Sequence, residues 1–244
     1  MIDLDVDSLF LYFGDDYVIN KKIKLMQPTI GQIVDYGEQS YFYMIHQLTA
    51  IPSDVKSILW DSPEQLDWTQ IEDFELFTMF SQNMTPDKTG IIFGDLDFSK
   101  MKLYRHPQND EIVLADKEAG IVIDKLIYMR MMAFLRKLHN ITPKPEKAKG
   151  KRAKQAMIDE DRRNREFNKD KPFKSYLLPL ISAVKVRQGY TRDYVRNMGL
   201  FEFFDDLARL QIMHSSDHLL SGIYSGSVDA KKIKKEELNW LRES

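Results

Sequence analysis

The longest regular pattern of apolar positions lies in residues 190–226. Leu200, Phe203, Leu207 and Leu210 recur there at helical spacing, and charged residues such as Glu202 fall between them. This pattern predicts an amphipathic helix with one apolar face and one polar face. The apolar face needs a packing partner, either within the fold or on another molecule.

Two patterns near the N-terminus predict a hairpin followed by helices. Apolar and polar positions alternate through residues 8–28 on both sides of Gly14, Asp15 and Asp16, which predicts a β-hairpin turning at those three residues. Residues 33–48 predict an amphipathic helix interrupted near Gly37. Residues 50–59 and 68–84 predict two further helices.

The pattern changes in residues 90–124, where apolar runs are short or alternating. These runs predict a second small β element with a turn at residues 106–111. Residues 121–138 then predict a strong helix that ends before Pro143 and Pro145.

Residues 142–172 are almost free of large apolar side chains, with only Met157, Ile158 and Phe167. Such a segment cannot bury enough surface to form a core, so it predicts a linker that is partly helical over residues 152–168. Beyond it, we expect a helix kinked at Pro179, the long amphipathic helix, and a basic tail anchored by Trp240.

These elements together predict an α+β protein that is mainly α. We expect an N-terminal mixed domain over residues 1–140 with a hairpin, helices and the second β element. A basic linker over residues 141–172 and a small all-α domain over residues 173–244 follow.

Charge and composition limit the classes of protein to which this chain can belong. The net charge is -2, but residues 144–174 hold 12 Lys or Arg against 6 Asp or Glu, so an electrostatic partner would meet that segment. No cysteine occurs, which excludes disulfides and thiolate metal sites. The acidic N-terminus is unlike a secretory signal, and no apolar run approaches the ~20 residues that cross a bilayer. We therefore expect a soluble cytosolic protein.

The sequence offers no motif for catalysis, and we expect no enzymatic activity and no cofactor. His214 and His218 stand four apart on a predicted helix, but a third metal ligand is missing nearby. Glu202, Asp205 and Asp206 fit the solvent side of their helix. No glycine-rich phosphate loop and no serine nucleophile elbow is present.

Two groups of residues are candidates for binding a partner. Lys149, Lys151, Arg152 and Lys154 could neutralise phosphates, but no aromatic residue interleaves them, so a solvated tether is favoured over nucleic-acid binding. The apolar candidates are Phe201, Phe203, Phe204 and Met131. Aromatic side chains occur on both sides of one helix, and three methionines at 129, 131 and 132 cannot all face one core. Of these methionines, we expect Met131 to leave the core.

Three stretches carry a resemblance to a known family: LFLYFGDDYVINKKIKLMQPTIGQI, GYTRDYVRNMGLFEFFDDL and SGIYSGSVDAKKI. With the basic linker between the first two, the chain resembles the long, two-domain form of the tail assembly chaperones of long-tailed bacteriophages. The segment 90–124 departs from the usual short first domain of that family.

The resemblance implies a non-enzymatic protein of the infected bacterial cytoplasm. Such a protein keeps the helical tape-measure protein soluble and brings tail-tube subunits to it, and it could also self-associate. The family has no catalytic residue to carry over. Two alternatives remain open: a structural virion protein of a connector or baseplate, and, ranked last, a DNA-binding regulator.

Overall fold

The structure, a computed structural model, describes residues 4–105 and 111–242. Its helices are α1 Ser8–Tyr12, α2 Ile30–Tyr36, α3 Glu38–Thr49, α4 Lys56–Trp60, α5 Asp73–Ser81, α6 Pro86–Phe93, α7 Lys125–Leu138, α8 Lys151–Lys169, α9 Leu177–Gln188, α10 Arg192–Asn197 and α11 Leu200–Tyr224. Its strands are β1 Tyr17–Val18, β2 Lys24–Leu25, β3 Lys102–Arg105, β4 Ile112–Asp116 and β5 Ile121–Ile123. The predicted α+β, mainly α class is confirmed.

The N-terminal hairpin exists, but the predicted turn is wrong. β1 pairs antiparallel with β2, with Tyr17 opposite Leu25, so the chain reverses over residues 19–23 rather than at Gly14. The preceding run is helix α1, because the Asp7 carboxylate accepts a hydrogen bond from the Leu9 N–H and caps it.

The interruption predicted near Gly37 is confirmed. Thr29 and Gln32 form a capping box at the start of α2. Gly37 then takes a φ of 100°, which only glycine adopts readily, and α3 starts at the next residue. Tyr41, Met44, Ile45 and Leu48 of α3 are buried, as their spacing predicted.

The small β element is an antiparallel sheet in the order β3-β4-β5. Two boundaries differ from prediction. Residues 90–93 belong to α6, and residues 121–123 form β5 rather than the start of a helix. The Asp124 side chain accepts from the Ile127 N–H at 2.7 Å, so α7 begins only after this cap. Residues 106–110 of the turn predicted at 106–111 lie outside the described residues.

The helix predicted over residues 152–168 is present as α8, but it is docked on α4 rather than forming a solvated tether. Ile158 is fully buried in a small core with Val55, Leu59, Trp68 and Leu76. The Asp161 carboxylate accepts from the Ser57 N–H at 2.8 Å, and Arg162 pairs with Asp61. A mostly polar helix can dock in this way because one buried apolar residue and several polar contacts together hold it against α4.

The helices after residue 173 pack into the main core. Leu177, Val184, Val195, Leu200 and Phe203 are buried in the same cluster as Ile33 and Leu11 of the N-terminal part. Pro179 lies in the first turn of α9, where its missing N–H leaves no helical hydrogen bond unmade, so the helix does not need to kink there. Gly189, with a φ of 70°, ends α9.

Residues 28–31, at the start of α2, pack closely against residues 196–200, between α10 and α11, and we call this contact the seam. Thr29 and Gly199 form an isolated antiparallel bridge, and the Ile30 N–H donates to the Met198 carbonyl at 2.9 Å. Gly31 is buried against α10, and a Cβ there would lie 2.7 Å from the Arg196 carbonyl oxygen. Residues on both sides of the predicted linker therefore contribute to one packed body, while the predicted boundaries at 140 and 172 stay predictions.

The tail after α11 is anchored differently from expected. The Trp240 side chain is half exposed, so it does not anchor the chain. Arg209 instead donates to the carbonyl oxygens of Trp240 and Arg242, and the Ser216 hydroxyl donates to the Glu237 carbonyl.

Candidate partner-binding surface

An apolar groove lies between α9 and α11, and we call it the α9–α11 groove. It is open to solvent and has a volume of about 1070 Å³. The α9 wall carries Pro179, Ser182, Ala183 and Val186, spaced i, i+3, i+4 and i+7. The α11 wall carries Leu207, Leu210, Gln211, His214 and Ser215 at the same helical spacing. Side chains of the two helices therefore line the two sides of an open channel.

The groove exposes an apolar side chain to solvent, since Val186 of its α9 wall is 82% exposed. Leu178 of α9 is 66% exposed and Met213 of α11 is 38% exposed, although neither lines the groove. Contiguous exposed apolar surface on a folded protein commonly marks a place of interaction. The groove is therefore the best candidate for binding another polypeptide.

The α9 helix exposes apolar residues because it is apolar on more than one side. Leu177 and Val184 face the core, while Leu178 and Val186 do not. No residue of this helix was predicted to bind a partner. The signal was available, since an apolar run without a polar face cannot be buried completely in a helix at the surface.

The three predicted phenylalanines of α11 lie at its start, away from the middle of the groove. Phe203 is fully buried, and Phe201 and Phe204 are half-buried against the core. Phe204 contacts Tyr176 with ring centroids 6.3 Å apart. The aromatic end of α11 thus packs internally, and Leu207 and Leu210, which are partly buried against the core, line the groove farther along the helix.

The acidic residues of α11 are not simply solvent-facing, contrary to expectation. The Glu202 carboxylate accepts from the Gly199 N–H and caps the helix, and burial raises its pKa. Asp206 accepts a hydrogen bond from the Tyr190 hydroxyl at 3.3 Å, and burial raises the pKa of Asp206 as well. Burial beside these acids raises the pKa of Tyr190 to about 12. These groups hold α11 against the residues that precede α10.

The prediction that Met131 leaves the core is wrong. Met131 and Met132 are buried within α7, and Met129 is the methionine that is 40% exposed. With 100° per residue, Met129 points about 200° away from Met131 around the helix, so the two cannot share a face. Met129 lies far along the chain from the α9–α11 groove.

The four predicted basic residues do not share one surface. Lys151 and Lys154 line a cleft at the start of α8, and Lys154 is paired with Asp67 and contacts Thr69. Lys149 and Arg152 are exposed and do not line that cleft. The compact basic patch that a DNA path would use is therefore not formed by these four residues together.

His214 and His218 lie with ring centroids 4.2 Å apart on α11. Within residues 4–105 and 111–242, no group of three or more His, Asp or Glu side chains is arranged to hold a metal ion. In the same part of the chain, no helix combines the length and the apolar character needed to cross a bilayer.

Comparison with known proteins places the groove in a recognised domain. Residues 168–244 match a family described as YomV second domain, which is 77 of 244 residues, or about a third of the chain. This family is phage-derived, so the match indicates a phage protein. No curated protein and no solved structure matches the chain. Both walls of the α9–α11 groove lie inside the matched region.

Proposed function

We propose that this phage protein is a non-enzymatic tail assembly chaperone that binds an amphipathic helix of another polypeptide in the α9–α11 groove. The observation that carries the proposal is the open groove that exposes Val186 and is lined by Leu207 and Leu210, inside the phage-derived domain. An amphipathic helix placed in an apolar groove uses residues spaced i, i+3, i+4 and i+7, which is the spacing of both walls.

The partner that fits this role is the tape-measure protein, which is long, helical and prone to aggregation. Binding its apolar face would remove that face from water and keep the chain soluble. Recruitment of tail-tube subunits would then occur through the same C-terminal part, in the cytoplasm of the infected host. The sequence resemblance to tail assembly chaperones supports this assignment alongside the groove.

The proposal is tested by placing charge in the groove. In Ala183→Glu/Val186→Glu, two carboxylates enter the apolar channel, and we expect binding of a tape-measure fragment to weaken about tenfold or more. The measurement is the amount of tape-measure protein left soluble on co-expression, followed by the dissociation constant of a purified tape-measure fragment.

The matched control is Leu103→Glu/Val122→Glu, which adds the same two charges at exposed apolar positions of β3 and β5. We expect this control to keep the tape-measure protein soluble. The proposal fails if the tape-measure protein precipitates equally with and without the wild-type chain. Stoichiometric copies of the chain in purified virions would instead indicate the structural virion protein.

A further inference from the structure

Helix α8 covers a small apolar face formed by Val55, Leu59, Trp68 and Leu76, and we call it the α4 face. These four residues cluster with Ile158 of α8 and are separate from the main core. Without α8, part of this apolar face would be exposed to water, which is unfavourable. The α4 face therefore needs a helix against it, and α8 shows which kind of helix fits.

A few side chains on one side of α8 make its contacts with the α4 face. Ile158 supplies the apolar contact and is the one fully buried residue of α8. Lys154, four positions earlier, pairs with Asp67, and Arg162, four positions later, pairs with Asp61 at 2.6 Å. Residues four apart lie on the same side of a helix. The face therefore selects a helix with a cation, an aliphatic residue and a cation at intervals of four.

The connections of α8 allow it to leave this face while the rest of the chain stays folded. Residues 142–150 and 170–174, which the structure describes in full, contain no helix or strand. Beyond these two hinges the chain is held elsewhere. Ile141 packs against the main core, and the Glu38 carboxylate accepts hydrogen bonds from the N–H groups of residues 176–177. Helix α8 is thus a separate unit on two hinges, and such units open locally.

The balance between α8 bound to its own chain and α8 bound to a second copy depends on few terms. The ion pair between Arg162 and Asp61 is half-exposed on both sides and contributes little. A second copy offers an identical helix and an identical face, so two copies that exchange α8 make the same contacts as two closed monomers. Protein concentration and the hinges then decide which form is present.

We propose that the α4 face is a helix-binding site that also accepts α8 of a second copy of this chain, so that two copies exchange α8 reciprocally and form a dimer. A second copy is the occupant because it carries Lys154, Ile158 and Arg162 at the spacing that the face selects. The exchange is independent of the proposed function, since the α9–α11 groove and the α4 face share no residue.

Two charge-reversed variants of the full chain test the exchange. In Lys154→Glu/Arg162→Glu and in Asp61→Lys/Asp67→Lys, like charges meet when α8 docks on its own chain or on an identical copy. In an equimolar mixture, every exchanged helix meets opposite charges again. We expect the mixture to contain at least about ten times more dimer than either variant alone, measured by size-exclusion chromatography with light scattering. A mixture as monomeric as its separate components would overturn the proposal.

The matched control is the chain that carries all four substitutions, because it restores opposite charges within one molecule. We expect this chain to be as monomeric as the wild type at the same concentration. If it forms as much dimer as the mixture, the substitutions themselves cause association, and the proposal is overturned.

A labelled peptide of residues 148–170, titrated with the wild-type chain, decides the matter if a variant loses its fold. The peptide competes with the tethered α8, whose effective concentration is about millimolar, so the titration runs to about that chain concentration. We expect the peptide to bind at least about tenfold more tightly than the same peptide with Ile158→Glu, because the buried aliphatic side chain is replaced by a charge. Equal affinity of the two peptides, or binding of neither, would overturn the proposal.

Discussion

At the scale of single residues, His139 is the group most sensitive to pH. Its ring is buried at the end of α7, where Nδ1 donates to the Leu135 carbonyl and Nε2 accepts from the Tyr41 hydroxyl, both at 2.7 Å. Burial lowers the pKa of His139 to about 4. The neutral ring therefore satisfies both nitrogens, and a second proton would face a donor already in place.

We expect acid to destabilise the fold through this residue. The unfolded chain takes up the proton near the ordinary pKa of 6.5, and the folded chain does so only near 4, so stability is lost as the pH falls between these values. From about pH 7.5 to about pH 5 the free energy of unfolding should fall by roughly 2 kcal/mol from this group. Urea unfolding at the two pH values measures the change.

The variant His139→Gln removes the titration and serves as the reference. Its loss of stability over the same pH interval should be smaller than that of the wild type by about the same roughly 2 kcal/mol. An identical pH dependence in the two proteins would show that His139 is already charged, or equally accessible, in the folded state.

At the scale of elements, α8 is a 19-residue helix whose position depends on few apolar contacts. Ile158 is its one fully buried residue, and its ion pairs with Asp61 and Asp67 are partly exposed. Partly exposed ion pairs contribute little to stability. The burial of Ile158 should therefore decide whether α8 stays docked.

We expect Ile158→Glu to release α8, because a buried carboxylate without a partner costs several kcal/mol. Tryptic cleavage after Arg162, Arg163 and Arg165 should accelerate about tenfold or more. Ala156→Glu places the same side chain at an exposed position of the helix and should leave cleavage near the wild-type rate. Equal protection in both variants would contradict the docking.

The elements also show how far the sequence predicted the fold. α3, α7 and α11 were predicted because each carries a long apolar stripe at helical spacing. α1 was mistaken for a strand because LFLYF is too short for its period to be distinguished, although Asp7 offered a capping signal. The docking of α8 was not predictable, since it depends on Ser57 meeting Asp161 across 104 positions of the chain.

The candidate surfaces were likewise predictable only in part from the sequence. The apolar stripe of α11 was visible in the sequence, but its full burial at Phe203 and partial burial at Leu207 and Leu210 depend on how the other helices pack against it. The cleft at the start of α8 could not be predicted, because it brings Trp68 together with Gly150 and neither residue belongs to a motif.

At the scale of the whole molecule, we expect one cooperative unfolding transition, because the main core runs from Val6 to Phe203. Phe203→Ala should lower the free energy of unfolding by roughly 3–5 kcal/mol and shift the entire transition. Phe201→Ala, at a half-buried neighbour, should cost less. Calorimetry measures both, and two separate transitions would show that residues 173–244 unfold independently.

The seam between residues 28–31 and 196–200 limits how this region can be exchanged between chains. A recombinant that joined residues 168–244 to an unrelated front half would separate the Ile30 amide from the Met198 carbonyl. It would also remove the α1 and α2 contacts that help to bury Leu200 and Phe203. To transfer the C-terminal region to another protein, the recombinant should therefore include residues 8–36 as well. Otherwise the host must supply an equivalent segment with glycine at the position of Gly31.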